Sequence, residues 1–269
     1  MSTEVLIVGG GIGGLAAAVA LRRAGCHVQV LERAEEISAV GAGILLQANA
    51  ITALQRIGVA EDIVAAAVPM SSARVSSWSG RVFSELDSSD LPVLGVGLHR
   101  ADLHRLLSEH AGLESVRTGA PVASYRLVGD RVVAVLESGE EITGDLLVGA
   151  DGIHSKVRAQ HLGDGPPRYA GYTCWRGVTL HADQFERGRL FEIWGVGKRF
   201  GGLHVDERLY WFAPVNATAG GRDEPGQTRT RLLDLYEGWP ERVLTTIAST
   251  PESAIIRNDI VDRPFRQAL

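Results

Sequence analysis

Cysteine is nearly absent: the 269-residue chain holds two, Cys26 and Cys174. Two thiols exclude a disulfide framework and show no metal-ligand spacing, so a reducing, cytoplasmic setting is expected. Long apolar runs are missing too. Nothing approaches the roughly eighteen consecutive apolar residues of a membrane helix, and the first apolar segment, Val5 to Val8, is cut short by glycines. Neither a signal peptide nor a membrane span is expected. The formal net charge is -5, with no Lys/Arg block, which argues against nucleic acid or an anionic membrane as partner. The eight histidines form no H-E-x-x-H or similar cluster, so no metal site is expected.

What is present is an ordinary globular composition, 45% hydrophobic and 22% charged, long enough for one large domain or two modest ones. The N-terminus is its most informative stretch. "EVLIVGGGIGGLAAAVALRRAGCHVQVLER" gives an apolar strand, Gly9-x-Gly11-x-x-Gly14, an Ala/Leu-rich helix, and a second strand from Val28 to Leu31 that ends in Glu32. That is a complete βαβ unit. In such a unit Gly9 permits the tight turn, Gly11 lets backbone approach a pyrophosphate, and Gly14 lets helix pack on strand, while the helix N-terminus offers free N–H donors. Glu32, eighteen positions past Gly14, then accepts from a ribose hydroxyl pair. The pattern predicts dinucleotide binding and leaves open which dinucleotide.

Further along, Gly41, Ala42 and Gly43 could let backbone lie against a flat ligand or form a plain surface loop, and a helix follows from about Asn49 to Ile57. In "LHRADLHRLLSEHA" (98 to 111) Arg100 stands just ahead of a helix with Leu103, Leu106 and Leu107 on its apolar side. It reads equally as an anion clamp or as a solvated charge. From Pro121 the pattern changes to period two, with turns at Gly129-Asp130 and Ser138-Gly139 and a last strand running through Val148. This meander returns the chain to the parallel sheet, so the last strand ends beside the first and opens onto the same crevice. There Asp151 and Gly152 stand ahead of Ser155, Lys156 and Arg158. Either Asp151 caps a helix while Lys156 and Arg158 face water, or the turn touches the ligand.

Gly9-x-Gly11-x-x-Gly14 with Glu32-Arg33, Arg100 and Gly149-Ala150-Asp151-Gly152-x-x-Ser155-x-Val157-Arg158 together resemble the single-component FAD-dependent aromatic monooxygenases, a group that includes hydroxybenzoate, salicylate and urate hydroxylases and zeaxanthin epoxidase. "YAGYTCWRGV" (169 to 178) is similar to the urate hydroxylase and epoxidase branch. The resemblance implies that Gly9, Gly11, Gly13 and Gly14 hold the ADP part of FAD, with Glu32 at the adenosine ribose, Arg33 beside it in the cofactor site, Arg100 at the pyrophosphate and Val122 in backbone contact with adenine. Asp151 and Arg158 become cofactor-site residues, in a motif that serves FAD and NAD(P)H alike. It also implies an activity: NAD(P)H reduces FAD, the reduced flavin takes up O2 as a C4a-hydroperoxide, and one oxygen passes to a small aromatic or planar substrate by hydroxylation or epoxidation. No side-chain nucleophile is required.

The expected fold class is α/β, a Rossmann-type FAD-binding domain with a parallel sheet and a β-meander, joined to a mainly antiparallel substrate domain. The expected division is 1–73 and 96–165 for the first, and 74–95 and 166–269 for the second. Ten of the sixteen aromatics fall between Tyr169 and Phe212, on alternating segments that read as antiparallel strands. Two helices are expected after them, Thr228 to Gly238 and Glu241 to Ala248. The resemblance implies substrate contacts at Arg199 and near Tyr210, and Arg176 is another candidate for orienting an anion. Most of the aromatics are expected to be core.

The family pattern continues beyond a segment like "IIRNDIVDRPFRQAL" with a Gly-Asp-Ala-x-His motif that binds the FAD ribityl and phosphates. No such stretch occurs here. Its loss is expected to weaken FAD binding by several kcal/mol, at about 1.5–3 kcal/mol for each charge-assisted hydrogen bond, and to leave a sheet edge open to a complementing C-terminal chain or to homodimer formation. Three hypotheses follow: a flavin monooxygenase, a flavin or nicotinamide dehydrogenase that does not use oxygen, and a non-catalytic nucleotide-binding fragment.

Overall fold

The computed structural model describes residues 2–36, 42–87 and 95–264. Gly41 lies outside them. The first elements are β1 (Glu4–Val8), α1 (Ile12–Arg23), β2 (His27–Leu31), β3 (Gly43–Gln47), α2 (Ala48–Arg56), α3 (Ala60–Ala65) and β4 (Val68–Met70). Then come β5 (Ser72–Ser77), β6 (Val82–Asp87), β7 (Gly95–His99), α4 (Arg100–Ala111) and β8 (Val116–Arg117). The meander follows as β9 (Val122–Val128), β10 (Arg131–Leu136) and β11 (Glu141–Gly144), before β12 (Leu146–Gly149) and α5 (Lys156–Leu162). The last third holds β13 (Arg168–Thr179), β14 (Arg189–Gly195), β15 (Lys198–Val205), β16 (Arg208–Asn216), α6 (Thr228–Leu235), α7 (Glu241–Ser249) and β17 (Ile256–Asp262).

Period-two alternation along β1 decides how the first part is layered. Val5 and Ile7 point into a core shared with α1 and α4 residues such as Leu15, Leu103 and Leu107. Leu6 and Val8 point the other way, against Val122, Ala134 and Leu136 of the meander. The parallel sheet, ordered β12-β1-β2-β8, is thus buried on both faces, as parallel sheets require.

The run read as one strand through Val148 is two. Strand β11 pairs antiparallel with β10, whereas β12 pairs parallel with β1. Asp145 separates them: its N–H donates to the Glu4 carbonyl at 2.8 Å, and its Oδ2 accepts from the Glu4 N–H at 2.8 Å. A single residue thereby transfers the chain from one sheet to the other.

The seven-stranded sheet has the order β17-β13-β16-β15-β14-β5-β6. Its pairings are antiparallel except β14 with β5, which run parallel. One face packs Trp175, Phe200 and Trp211 against Leu232, Tyr236, Val243 and Ile247 of α6 and α7. The other places Leu203, Val205 and Tyr210 against Val68 and Met70. Gly97 lets β7 come this close to β15, because a side chain there would overlap Leu203 and lie 2.7 Å from the His204 carbonyl oxygen. The α/β class with a parallel sheet, a meander and a mainly antiparallel sheet is the architecture observed. Of the two late helices, α6 ends at Leu235 rather than Gly238, because Tyr236 already leaves the helical region as its C-cap.

Candidate functional site

Two strand ends meet at one corner. Since β1 and β12 are parallel neighbours, with Val8 beside Gly149, their following turns leave the sheet at the same place. Gly9 has φ +105°, and a side chain there would stand 2.5 Å from the Ala150 carbonyl oxygen and 3.0 Å from the Asp151 Cα. Only glycine fits, both in backbone conformation and in space. At Gly14 a methyl would overlap the Gly9 carbonyl oxygen, whereas at Gly11 and Gly13 it would meet nothing within 4 Å. Helix α1 therefore starts tight against the strand but open in front. Gly11 is its N-cap with no side-chain cap, and its first turn holds no acidic residue, which leaves the N-terminal N–H groups available to an anion.

This corner is one end of a groove of about 540 Å³, lined among others by Gly9, Gly11, Glu32, Arg33, Arg100, Val122, Asp151 and Gly152. Seven of the ten predicted cofactor residues thus share one cavity. Glu32 is held at its rim: its Oε2 accepts from the Gly10 N–H at 2.6 Å and its Oε1 from the Ala34 N–H at 2.9 Å. Arg100 is the first residue of α4 rather than a residue ahead of it, because His99 serves as N-cap, accepting from the Ala101 N–H. Among the described residues the Arg100 guanidinium has no hydrogen bond or ion pair, and it lines the groove. Val122 is buried at the start of β9, packed in the core with Leu6 and Leu31.

The other three cofactor candidates stand elsewhere. Gly14 is buried under the turn and Gly13 is exposed on the first turn of α1. Arg158 turns away from the groove: its Nε pairs with Asp164 Oδ2 at 3.0 Å, and its Nη2 donates to the Ile153 carbonyl at 2.8 Å. Its side chain is 29% exposed, and it lines a separate hollow beside β9 and β12 rather than the groove. Asp151 caps α5, with Oδ1 accepting from the Ser155 hydroxyl at 2.5 Å and Oδ2 from the Lys156 and Val157 N–H groups at 2.7 and 3.2 Å. Lys156 pairs with Glu137 at 2.5 Å at the groove mouth.

The sequence reading missed His104. Its Nε2 is 2.7 Å from the Gly10 carbonyl oxygen, and it lines the groove one helical turn along α4 from Arg100. The spacing of four residues was a readable signal, since it puts both side chains on one helix face.

The substrate candidates lie on the large sheet. Arg199 Nη1 pairs with Glu192 at 3.2 Å. Tyr210 is 8% exposed, its ring so close to Gly43 that any side chain there would overlap it. Burial pushes the Tyr210 phenol up, and the Arg176 guanidinium beside it pulls the other way. Tyr210 pairs with Leu203, four residues along β15 from Arg199, so the structure groups Tyr210 with Arg176 rather than with Arg199. Arg176 also donates to the Asn258 side-chain oxygen at 3.3 Å.

The comparisons with known proteins agree with this corner. A family described as FAD binding domain matches residues 2–230. Aurachin C monooxygenase/isomerase of Stigmatella aurantiaca is 42% identical over 269 residues, covering 98% of this chain and 70% of that protein. Chloroplastic zeaxanthin epoxidase of Solanum lycopersicum is 38% identical over 284 residues, covering 97% of this chain and 41% of the epoxidase. The chain therefore spans about two fifths of the epoxidase's length. Among solved structures, Klebsiella pneumoniae HpxO complexed with FAD and uric acid superposes with a TM-score of 0.89 at 30% identity, over 97% of this chain and 68% of that one. The 2,6-dihydroxypyridine-3-hydroxylase of Arthrobacter nicotinovorans shares the fold, with a TM-score of 0.83 at 22% identity, 98% of this chain and 74% of that one. With a Gly-rich turn, an acidic strand end and an Asp-Gly turn around one groove, the chain belongs to the FAD binding domain family of FAD-dependent monooxygenases.

Proposed function

We propose that the chain binds FAD in the groove and serves an NAD(P)H- and O2-dependent monooxygenase that hydroxylates or epoxidises a small planar or aromatic substrate. One observation carries this most: the Gly9 turn and the Ala150-Asp151 turn approach so closely that no side chain fits between them. That contact fixes the corner, and Gly11, where a side chain would meet nothing within 4 Å, leaves bare backbone open to the close approach of a pyrophosphate. The groove fits the cofactor in its donor set as well, with an uncapped helix start and, at Arg100, a guanidinium without an ion pair among the described residues.

On this reading Gly9 and Gly14 set the tight turn, Gly11 and Gly13 leave the start of α1 open to the pyrophosphate, Arg100 neutralises it, and Glu32 takes the ribose with Arg33 beside it. Val122 offers backbone to adenine. Asp151 holds its own turn in shape through the α5 cap, and Arg158 supports that turn from behind. FAD bound there supplies redox exchange with NAD(P)H and the activation of O2, while the protein contributes position and a dry pocket. Asp151 and Gly152 also line a second hollow of about 650 Å³ on the meander side, which supports a turn shared between two ligands. Arg199, Tyr210 and Arg176 are the proposed substrate contacts on the large sheet.

The same reading assigns 1–73 with 96–165 to the FAD part and 74–95 with 166–269 to the substrate part, supported by the membership of β5 and β6 in the seven-stranded sheet. The free edge of β12, where Leu146 is 48% exposed, suits a complementing strand from a further C-terminal segment or second chain, or a homodimer contact. Among the described residues no helix is long and apolar enough to cross a membrane, and both cysteines are free.

The test is a visible absorption titration of the purified chain with FAD, followed by oxygen uptake with NADH and with NADPH. Saturable, shifted flavin bands with NAD(P)H-dependent oxygen consumption support the proposal. Bands without oxygen consumption would favour a dehydrogenase, and FAD free at high micromolar concentration would overturn cofactor binding by this chain.

A further inference from the structure

The Asp151-Gly152 turn is held from outside its own sheet. The Ile153 carbonyl accepts two guanidinium donors, Arg158 Nη2 at 2.8 Å and Arg263 Nε at 2.9 Å. Both arginines also share Asp164 Oδ2, at 3.0 Å from Arg158 Nε and 2.7 Å from Arg263 Nη1. Arg263 adds the Gly165 carbonyl at 2.6 Å. The Asp164 side chain is 10% exposed and that of Arg263 15%, so this pair is largely removed from water, while the Arg158 side chain is 29% exposed. The attraction between Arg263 and Asp164 is correspondingly less screened than that of a surface pair.

The members come from different parts of the fold. Arg158 is on α5 and Asp164 just beyond it, but Arg263 directly follows β17, an edge strand of the seven-stranded sheet. Asp151 holds the α5 side of this turn, and the arginines hold its other side at Ile153. Gly152 has φ +79° with nothing near it, and the turn's internal backbone bond, from the Ser155 N–H to the Gly152 carbonyl, is 3.2 Å long.

We propose that Arg263, acting with Asp164, is a positioning residue for the nucleotide groove: it fastens the Gly152-Ile153 turn to the end of β17, so that the wall of the groove takes its shape only when the seven-stranded sheet is docked. This rests on the assignment of the groove to FAD. Neither residue touches the groove itself, and their effect passes through the Ile153 carbonyl.

The experiment compares Arg263→Gln and Asp164→Asn with wild type and with Arg168→Gln. Arg168 pairs with Asp262 at 2.5 and 3.0 Å close by, and no hydrogen bond links it to the turn, so it reports general loosening of the same strand end. Amide hydrogen exchange is followed across residues 150–157 in the FAD-free protein, and the FAD dissociation constant is measured on the same preparations. In R263Q and D164N, exchange in this segment rises about tenfold and FAD binding weakens about tenfold, the scale of one lost charge-assisted bond, with R168Q like wild type. Unchanged exchange in R263Q and D164N overturns the proposal, as does faster exchange without loss of affinity in a protein whose wild type binds FAD. If the wild type takes up no FAD, the cofactor assignment fails, and the exchange arm alone decides whether Arg263 holds the turn.

Discussion

The His104 imidazole donates from Nε2 to the Gly10 carbonyl at 2.7 Å, while the Gly10 N–H donates to Glu32 at 2.6 Å. A carbonyl oxygen can only accept, so the ring carries its proton on Nε2. Because the peptide is planar and trans, fixing the Gly10 carbonyl aims the Gly11 N–H the opposite way. His104→Leu is expected to weaken FAD binding by about three- to tenfold, for a hydrogen bond of about 0.5–1.5 kcal/mol, and His104→Gln, which restores an N–H near the Nε2 position, recovers most of it. Flavin fluorescence titration of the two variants checks this; equal loss in both would contradict it.

Neighbouring glycines differ in what they tolerate. Gly14→Ala drives a methyl into the Gly9 carbonyl oxygen and is expected to cost about 1–3 kcal/mol or more, the range for overpacking. Gly13→Ala meets open space on an exposed helical turn and should raise stability by up to about 1 kcal/mol through helix propensity. Thermal unfolding of the FAD-free variants gives the answer through opposite signs of the Tm shift.

Arg100 offers a clean separation of binding from stability. Its side chain has no hydrogen bond or ion pair among the described residues, so Arg100→Ala should leave the melting temperature of the FAD-free chain within about 2 °C, an ordinary surface substitution. FAD affinity should fall at least tenfold, about 1.4 kcal/mol. A fall in Tm with unchanged affinity would assign Arg100 to structure instead.

Acid weakens the first turn of α4. The neutral His99 Nδ1 accepts the Ala101 N–H at 3.3 Å, and burial, then Arg208, lower its pKa, against the opposing pull of Asp102 and Asp206. A folded-state value below the unfolded one, about 6.5, means that the contribution is complete above that pH and is lost as pH falls through the folded value. Melting temperatures measured from pH 8 to pH 5 should decline less in His99→Asn, a good N-cap that does not titrate. Parallel curves for wild type and variant would rule the cap out as the cause.

The sequence made the βαβ unit legible because its signals are local: a glycine spacing, an apolar period and an acidic strand end within about thirty residues. The meeting of the Gly9 and Ala150 turns was legible in outline, since parallel strands that end together open on one crevice. What could not be read was non-local. Nothing in "EEITGDLLVG" marks Asp145 as the transfer point between sheets, because its partner is Glu4. Arg158 follows a nucleotide motif in sequence, but Asp164 and the Ile153 carbonyl draw its guanidinium away from the groove. Arg199 likewise carries a partner, Glu192, that only the pairing of β14 with β15 brings to it.

The transfer at Asp145 also sets a timetable for synthesis. Glu4 and Asp145 are 141 positions apart in the chain, and β12 covers one side of β1. On a ribosome adding about 5–20 residues per second, the first strand to be made waits roughly 7–28 s for that neighbour. Through that interval one flank of an apolar strand stands without its native neighbour and is open to pairing with another chain.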